Sequence, residues 1–143
     1  MKTSIKWLMG YDNLAEVHEI RRKVFINEQG VKEELELDGS DSDAIHLLLF
    51  YNTMPIGTGR LIMINGDYTL GRIAVIKEYR GKGYGRIIIE NLIKKAISIG
   101  SREQYIHAQI TAKAFYEKLG FKPQGNEYSE AGIRHITMCH KNY

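Results

Sequence analysis

Arg80-Gly81-Lys82-Gly83-Tyr84-Gly85-Arg86 places three glycines within five positions among three cations. Without a Cβ, glycine lets the backbone come close to a ligand. A helix following the loop would aim its unpaired first-turn N–H groups and the positive end of its dipole into it. A pyrophosphate fits that environment; the plain alternative is a glycine-rich turn with solvated charges. A Walker loop needs a Gly-Lys-Ser/Thr ending, and a dinucleotide fingerprint needs G-x-G-x-x-G with an acid about 20 residues on. The spacing here is G-x-G-x-G, which is neither.

The elements around the loop follow from periodicity. Thr3 to Met9 reads as a strand. From Leu14, the residues Val17, Ile20, Val24 and Phe25 keep helical spacing, with Asp12 or Asn13 as the N-cap. An acidic loop or broken helix follows, ending in Asp38-Gly39-Ser40-Asp41. Ile45 to Tyr51 is almost continuously apolar, as a strand covered on both faces requires. Ile56 to Ile64 is a strand whose Gly57 and Gly59 predict a kink or bulge. Asn65-Gly66 signals a hairpin returning as Tyr68 to Ile76. Ile88, Leu92 and Ala96, beside Ile89, Ile93 and Ile97, then form two adjacent rows on a helix ending at Gly100. Gln104 to Gln109 is a short strand, and Thr111 is placed to cap a helix from Ala112 to Leu119. Strands at Phe121 to Tyr128 and Ile133 to His140 complete the order β-α-β-β-β-α-β-α-β-β: an α/β (α+β) mixed sheet carrying helices.

The 143 residues fit one domain spanning residues 1–143, with 43% hydrophobic and 26% charged residues, ordinary globular usage. No apolar run reaches the ~20 residues of a bilayer span, and the start lacks the apolar stretch of a signal peptide. Cys139 is the only cysteine. It cannot form an internal disulfide or a multi-cysteine metal site, so a reduced, cytoplasmic, metal-independent protein is expected. Net charge is +3, unevenly spread. From Asn27 to Asp43, Glu28, Glu33, Glu34, Glu36, Asp38, Asp41 and Asp43 face Lys32 alone, leaving a segment of −6 against +9 elsewhere. Such a segment is either a solvated loop or a rim that attracts a cationic substrate.

Arg80, Gly83 and Gly85 match R/Q-x-x-G-x-G/A, which resembles the coenzyme A pyrophosphate loop of the GNAT N-acetyltransferase superfamily. Gly71-Arg72-Ile73-Ala74-Val75 before it is similar to the family's acyl-CoA strand. Gln109-x-x-Ala112-x-x-Phe115-Tyr116-Glu117-Lys118-Leu119-Gly120-Phe121 after it is similar to N-x-x-A-x-x-F-Y-x-x-x-G-F, with glutamine where asparagine is usual. These matches cover about residues 56 to 123 in the family's order. Phe25 to Gln29, Glu36-Leu37-Asp38-Gly39 and Glu127-Tyr128 to His135 also resemble the short bacterial ElaA/YjcF-like subgroup.

The resemblance implies a mostly antiparallel central sheet with a V-shaped splay between two parallel strands, Tyr68 to Ile76 and Gln104 to Gln109. Acetyl-CoA would enter that splay as cosubstrate, without a metal. Pantetheine amides would pair with the backbone of Ile73 and Val75, with Ala74 between them in the same cofactor-binding strand, and the Val75 N–H would face the thioester carbonyl. Arg80, Gly81, Lys82, Gly83, Tyr84, Gly85 and Arg86 would hold the pyrophosphate, with Gln109 and Phe115 completing the cofactor site. Tyr116 would be the general acid for the leaving thiolate, since a phenol of pKa ~10 stays protonated at neutral pH. His135 is the candidate base, an imidazole having an ordinary pKa of ~6.5. Glu28 and Asp38 are candidates for holding a cationic amine or relaying its proton. His18, His46, His107 and His140 are assigned to packing or the surface, and Cys139 to the core. Three readings follow: an N-acetyltransferase acting on a small amine or exposed amino group, a non-catalytic acyl-CoA-binding module, and a nucleic-acid binder. The last lacks any recognition motif. The expected partner is a small-molecule amine rather than nucleic acid or membrane, with a homodimer left open.

Overall fold

Leu47, Leu48 and Leu49 are all fully buried, so the strand carrying them is covered on both faces. This strand, β2 (Ile45–Tyr51), lies between β1 (Thr3–Met9) and β3 (Met54–Ile64). The computed structural model describes residues 2–37 and 39–143. Its seven-stranded sheet has the order β1-β2-β3-β4-β5-β7-β6, where β4 is Asp67–Val75, β5 Glu103–Gln109, β6 Lys122–Glu130 and β7 Ile133–Lys141. All neighbours are antiparallel except β4 and β5. This is the mixed, mostly antiparallel sheet expected from the sequence.

Helix α1 (Ala15–Arg21) begins where Asn13 Oδ1 accepts the Ala15 N–H at 3.0 Å. Asp12, the other expected cap, accepts the Met9 N–H at 2.7 Å and closes the turn after β1. Past Arg21 the helix widens into a π-helical stretch, Arg22–Glu28, and the Gln29 N–H reaches the Val24 carbonyl at 3.2 Å. The apolar spacing through Val24 and Phe25 is compatible with an ordinary helix, so it gives no sign of this widening. The acidic segment holds one short helix, α2 (Glu33–Glu36), and a 3₁₀ turn at Ser40–Asp43.

Strand β3 begins at Met54, earlier than the expected Ile56, and takes in Pro55. The register shifts between Leu49 and Phe50 opposite it, and such an irregularity tolerates a residue without an N–H. The bulge expected from the glycines appears between Thr58 and Arg60. A Cβ at Gly59 would stand 2.7 Å from Leu92 Cδ1, and one at Gly57 2.8 Å from Ile88 Cδ1. The two glycines therefore let α3 (Tyr84–Ser98) settle directly on β3. Strand alternation sends Arg60, Ile62 and Ile64 to the opposite face, where α1 packs. Asn65 (φ 52°) and Gly66 (φ 87°) form the predicted hairpin into β4.

Strands β4 and β5 pair in parallel only at Tyr68–Gln104, Thr69–Tyr105 and Leu70–Ile106. They then diverge, giving the V-shaped splay. Just past the last pair, Arg72 adopts φ +51°, a left-handed conformation uncommon for a residue with a side chain. Thr111 does not cap α4 (Lys113–Lys118); Ile110–Ala112 instead forms a 3₁₀ turn, and no side chain among the described residues caps the helix.

Candidate active site

The splay opens into a cleft of about 650 Å³ whose lining includes Ile73, Gln109, Tyr116 and His135. Its β4 wall offers backbone rather than side-chain chemistry. The Ile76 N–H bonds the Ile56 carbonyl at 2.9 Å, so alternation along an antiparallel pair turns the Val75 and Ile73 groups away from β3. They face the side from which β5 has diverged. Such an edge accepts an extended amide chain as it would another strand.

Beyond β4, Gly83 stands at the N-cap of α3 with φ +87° and Gly81 has φ +76°. Among the described residues no side chain caps α3, and a Cβ built on Gly83 meets no atom within 4 Å. The helix start is thus open, donor-rich and lined by backbone, which fits a pyrophosphate. Around it Tyr51, Tyr79 and Tyr84 form a ring cluster with centroids 5.6–6.2 Å apart, and Lys82 Nζ lies 5.8 Å from the Tyr79 ring. Arg86 pairs with Glu90 one turn on, at 3.2 Å.

Tyr116 is buried, packed edge-on against Phe115 and Phe121. Its hydroxyl makes no hydrogen bond among the described residues, and burial pushes the phenol pKa up. His135 is directly opposite Gln109 across the β5–β7 pair. Its Nδ1 lies 2.7 Å from the Ile133 carbonyl, an acceptor only, so Nδ1 carries the proton and donates it. In the neutral ring Nε2 therefore holds the lone pair, and Glu130 Oε2 lies 3.6 Å from it. The Tyr128 ring stacks on His135 at 5.9 Å. Ile133 and His135 both line the cleft, so that face of β7 is the one turned inward.

His107, assigned from sequence to packing or surface, also lines the cleft. Its Nδ1 lies 2.7 Å from the Tyr128 hydroxyl and 3.2 Å from Thr137 Oγ1. Strand parity alone could not reveal this, because the partner strands decide which face of β5 is turned to the cleft. His18, His46 and His140 do have structural partners: Asp41 Oδ2, the Asp41 carbonyl and Gln104 Oε1 respectively. Cys139 is buried in the core, and burial pushes its thiol pKa up.

The acidic segment is a solvated loop only in part: Glu28, Glu33, Glu34 and Asp43 are exposed, while Glu36 is buried and Asp41 partly buried, each tied to arginines. Arg21, wholly buried, donates to Glu36 Oε1, to the Glu36 carbonyl at 2.9 Å and to Asp41 Oδ1 at 2.7 Å. Arg60 reaches Asp41 Oδ1 at 2.9 Å, and Arg72 Nε lies 2.8 Å from Glu36 Oε2. Two arginines and the His18 ring hold the Asp41 carboxyl far below its ordinary pKa, against an opposing push from burial. Burial of a carboxylate requires such partners, and none of them is near in sequence. Asp38 lies outside the described residues.

Glu28 grips Arg80 in a two-pronged pair, at 2.7 and 2.8 Å, while Arg80 Nε donates to the Val75 carbonyl at 2.8 Å. Next to Glu28, Gln29 Oε1 accepts from Gln109 Nε2 at 2.9 Å. The end of the π-helical stretch is thereby fastened to both sides of the splay. The Arg80 hydrogen bond holds the Glu28 carboxyl below its ordinary pKa, so the clasp is intact above the ordinary carboxylate range and is lost as pH falls through the depressed value. On the expectation from the sequence that Arg80 meets a coenzyme A pyrophosphate, Glu28→Gln should tighten coenzyme A binding about two- to fivefold at neutral pH, the scale of one exposed ion pair, by freeing Arg80. Titration calorimetry reads this directly; weaker or unchanged binding would mean that the clasp does not compete with the ligand.

A family model described as an acetyltransferase (GNAT) domain matches residues 12–141. The chain is similar to the uncharacterised N-acetyltransferase YjcF of Bacillus subtilis, 34% identical over 128 residues that cover 89% of this chain and 91% of the relative. Its fold is similar to that of Escherichia coli ElaA, with a TM-score of 0.87, 23% identity and coverage of 97% and 99% of the two chains. It is also similar to the PaiA N-acetyltransferase of Thermoplasma acidophilum in complex with coenzyme A, with a TM-score of 0.75, 22% identity and 99% of each chain covered. On the match over residues 12–141, and with the splayed strands and the glycine loop in place, the chain belongs to the GNAT acetyltransferase family and is an acyltransferase.

Proposed function

We propose that this chain, acting as a single domain, moves an acetyl group from acetyl-CoA to a primary amine of a small molecule or an exposed amino group, by direct attack in a ternary complex. The observation that carries this reading is that Tyr116 and His135 line one cleft, beside the open backbone edge of β4. Ile73 and Val75 pair with the pantetheine amides, and Gly81 to Gly85 with the α3 N-terminus hold the pyrophosphate. Lys82 and Arg86 add positive charge there, and Gln109 and Phe115 border the channel. The coenzyme A complex of a protein with the same fold supports an acyl-CoA cosubstrate.

In the transfer, the amine nitrogen bonds to the thioester carbonyl carbon, and the Val75 N–H donates to the oxygen as it becomes negative. Collapse of that adduct breaks the carbon–sulfur bond. Tyr116 gives its proton to the departing sulfur, and the Nε2 lone pair of His135 takes the proton from the amine. Cys139 is buried in the core and has no part in this route, which runs without an acyl-cysteine.

The test is release of free coenzyme A thiol from acetyl-CoA in the presence of a panel of primary amines, with mass detection of the N-acetyl product. His135→Asn should lower kcat/KM about 10²-fold, the scale of one positioned base, with acetyl-CoA affinity unchanged. Undiminished turnover in a folded His135→Asn protein would assign the proton to another group. Failure of every amine in a protein that binds acetyl-CoA would overturn the transfer itself.

A further inference from the structure

The cleft contains an arginine whose donors are not all used. Arg60 is in the middle of β3, on the face opposite α3, and it is 7% exposed. It lines the same cleft as Tyr116 and His135, in company with Ile62, Ile64 and Thr69. A guanidinium has five N–H donors. Arg60 uses one, Nη1 to Asp41 Oδ1 at 2.9 Å, and shares that oxygen with Arg21. Its Nε is buried and makes no hydrogen bond among the described residues. Removing a cation from water is costly, and leaving its donors unmade adds to the cost.

The surroundings of Arg60 sharpen that cost. Gly71 pairs with Arg60 across β3–β4, and the next residue, Arg72, has its backbone held at φ +51° and its guanidinium placed on Glu36. Burial first, and then the nearby Arg72 charge, lower the Arg60 pKa, while Asp41 opposes the shift. Arg21, Asp41, Glu36 and the partly buried Arg72 all converge on this end of the sheet, with His18 on Asp41. A planar, incompletely paired guanidinium in a walled cleft matches a monoanion with two oxygens, which it can bind through two parallel N–H bonds.

We propose that Arg60 is the subsite for a carboxylate on the acetyl acceptor, which makes the acceptor class amines bearing a carboxylate, amino acids above all, rather than polycations. The inference rests on the acetyl-transfer reading above. Glu130, 3.6 Å from His135 Nε2 on the same cleft, supplies the complementary negative charge for the ammonium before it loses its proton. The carboxylate at one end and the ammonium at the other fix which nitrogen of the acceptor meets the thioester. A neutral amide in place of the carboxylate leaves the Arg60 charge without a counter-ion.

The experiment uses the full chain and coenzyme A release, with amino acids and their α-amides as matched acceptors. The acids should exceed the amides in kcat/KM by about 10- to 100-fold, the range for a hydrogen-bonded charge. Arg60→Met should bring that ratio close to one without changing the affinity for acetyl-CoA. Amides turned over as well as acids would overturn the carboxylate site while leaving acetyl transfer standing, and so would a ratio that persists in folded Arg60→Met. Where Arg60→Met does not fold, Arg60→Lys keeps the cation but loses the two-pronged contact, and it must lower the ratio severalfold; an unchanged ratio overturns the proposal. Where no acceptor of either series reacts, the wider amine panel decides acetyl transfer, and the subsite is judged by calorimetry of N-acetylated amino acids against the coenzyme A-loaded protein. Binding to the wild type that Arg60 substitution weakens at least tenfold supports the site, and no binding to the wild type overturns it.

Discussion

Tyr116→Phe should lower kcat about 10²-fold while acetyl-CoA affinity stays within about twofold, because only the hydroxyl is removed and the ring packing against Phe115 and Phe121 survives. The magnitude follows from what the hydroxyl can do. It has no hydrogen-bond acceptor among the described residues, and it belongs to a side chain lining the cleft. A thiolate arriving there would be its first partner. Burial raises the phenol pKa, so Tyr116 keeps its proton across the neutral range and is always ready to donate. The same rise makes it a weaker acid, which places the expected effect at the lower end of acid catalysis rather than beyond it. Steady-state kinetics with a fixed amine measures both constants. A rate near wild type would reduce Tyr116 to a packing residue and leave the thiolate to depart unaided.

The features legible in the sequence are those whose cause is local. The glycine loop announces itself because positive φ and a close approach both require missing Cβ atoms within a few residues of one another. Ile45 to Tyr51 is legible because a strand covered on both faces must be apolar throughout. The Asn65-Gly66 hairpin is legible because both central residues need positive φ. The place of His135 beside Tyr116 is different: strand alternation puts Ile133, His135 and Thr137 on one face, and only the pairing of β7 with β5 decides that this face meets the cleft.

What the sequence hides is distant pairing. Arg21 meets Glu36, Arg60 meets Asp41 and Arg80 meets Glu28, separations of 15, 19 and 52 residues. Nothing in the composition of the acidic segment distinguishes acids that turn inward to buried guanidiniums from acids that face solvent. Arg60 and Arg72 themselves occur inside strand patterns, where an arginine reads as an outward-facing residue. The π-helical widening at Arg22–Glu28 is equally silent, since Val17, Ile20 and Val24 obey an ordinary helical period. Yet that widening delivers Glu28 and Gln29 to opposite sides of the splay.

Gly83→Asp should reduce coenzyme A affinity by about 10²-fold or more and leave the protein folded. The two halves of this expectation have separate causes. A Cβ at Gly83 meets no protein atom within 4 Å, so the substitution crowds nothing in the chain itself. The backbone there has φ +87°, a strained setting for a side chain that costs about 1–2 kcal/mol. Aspartate is among the residues that tolerate it best, and as an N-cap it would satisfy a first-turn N–H of α3 and favour the positive helix end. Those gains offset the strain, so the melting temperature should move little. The same carboxylate occupies the space and the donors proposed for the pyrophosphate. A like charge ~4 Å away is worth about 4 kcal/mol at an effective dielectric of 20, and half of that still exceeds a tenfold loss before the lost hydrogen bonds are added. Gly83→Ala separates the two effects, since it brings the Cβ without the charge and should weaken binding less than the aspartate does. Titration calorimetry with coenzyme A, alongside thermal melts of each variant, decides the matter. An unchanged affinity in folded Gly83→Asp would mean that the phosphates lie elsewhere and that the open start of α3 is not their cradle.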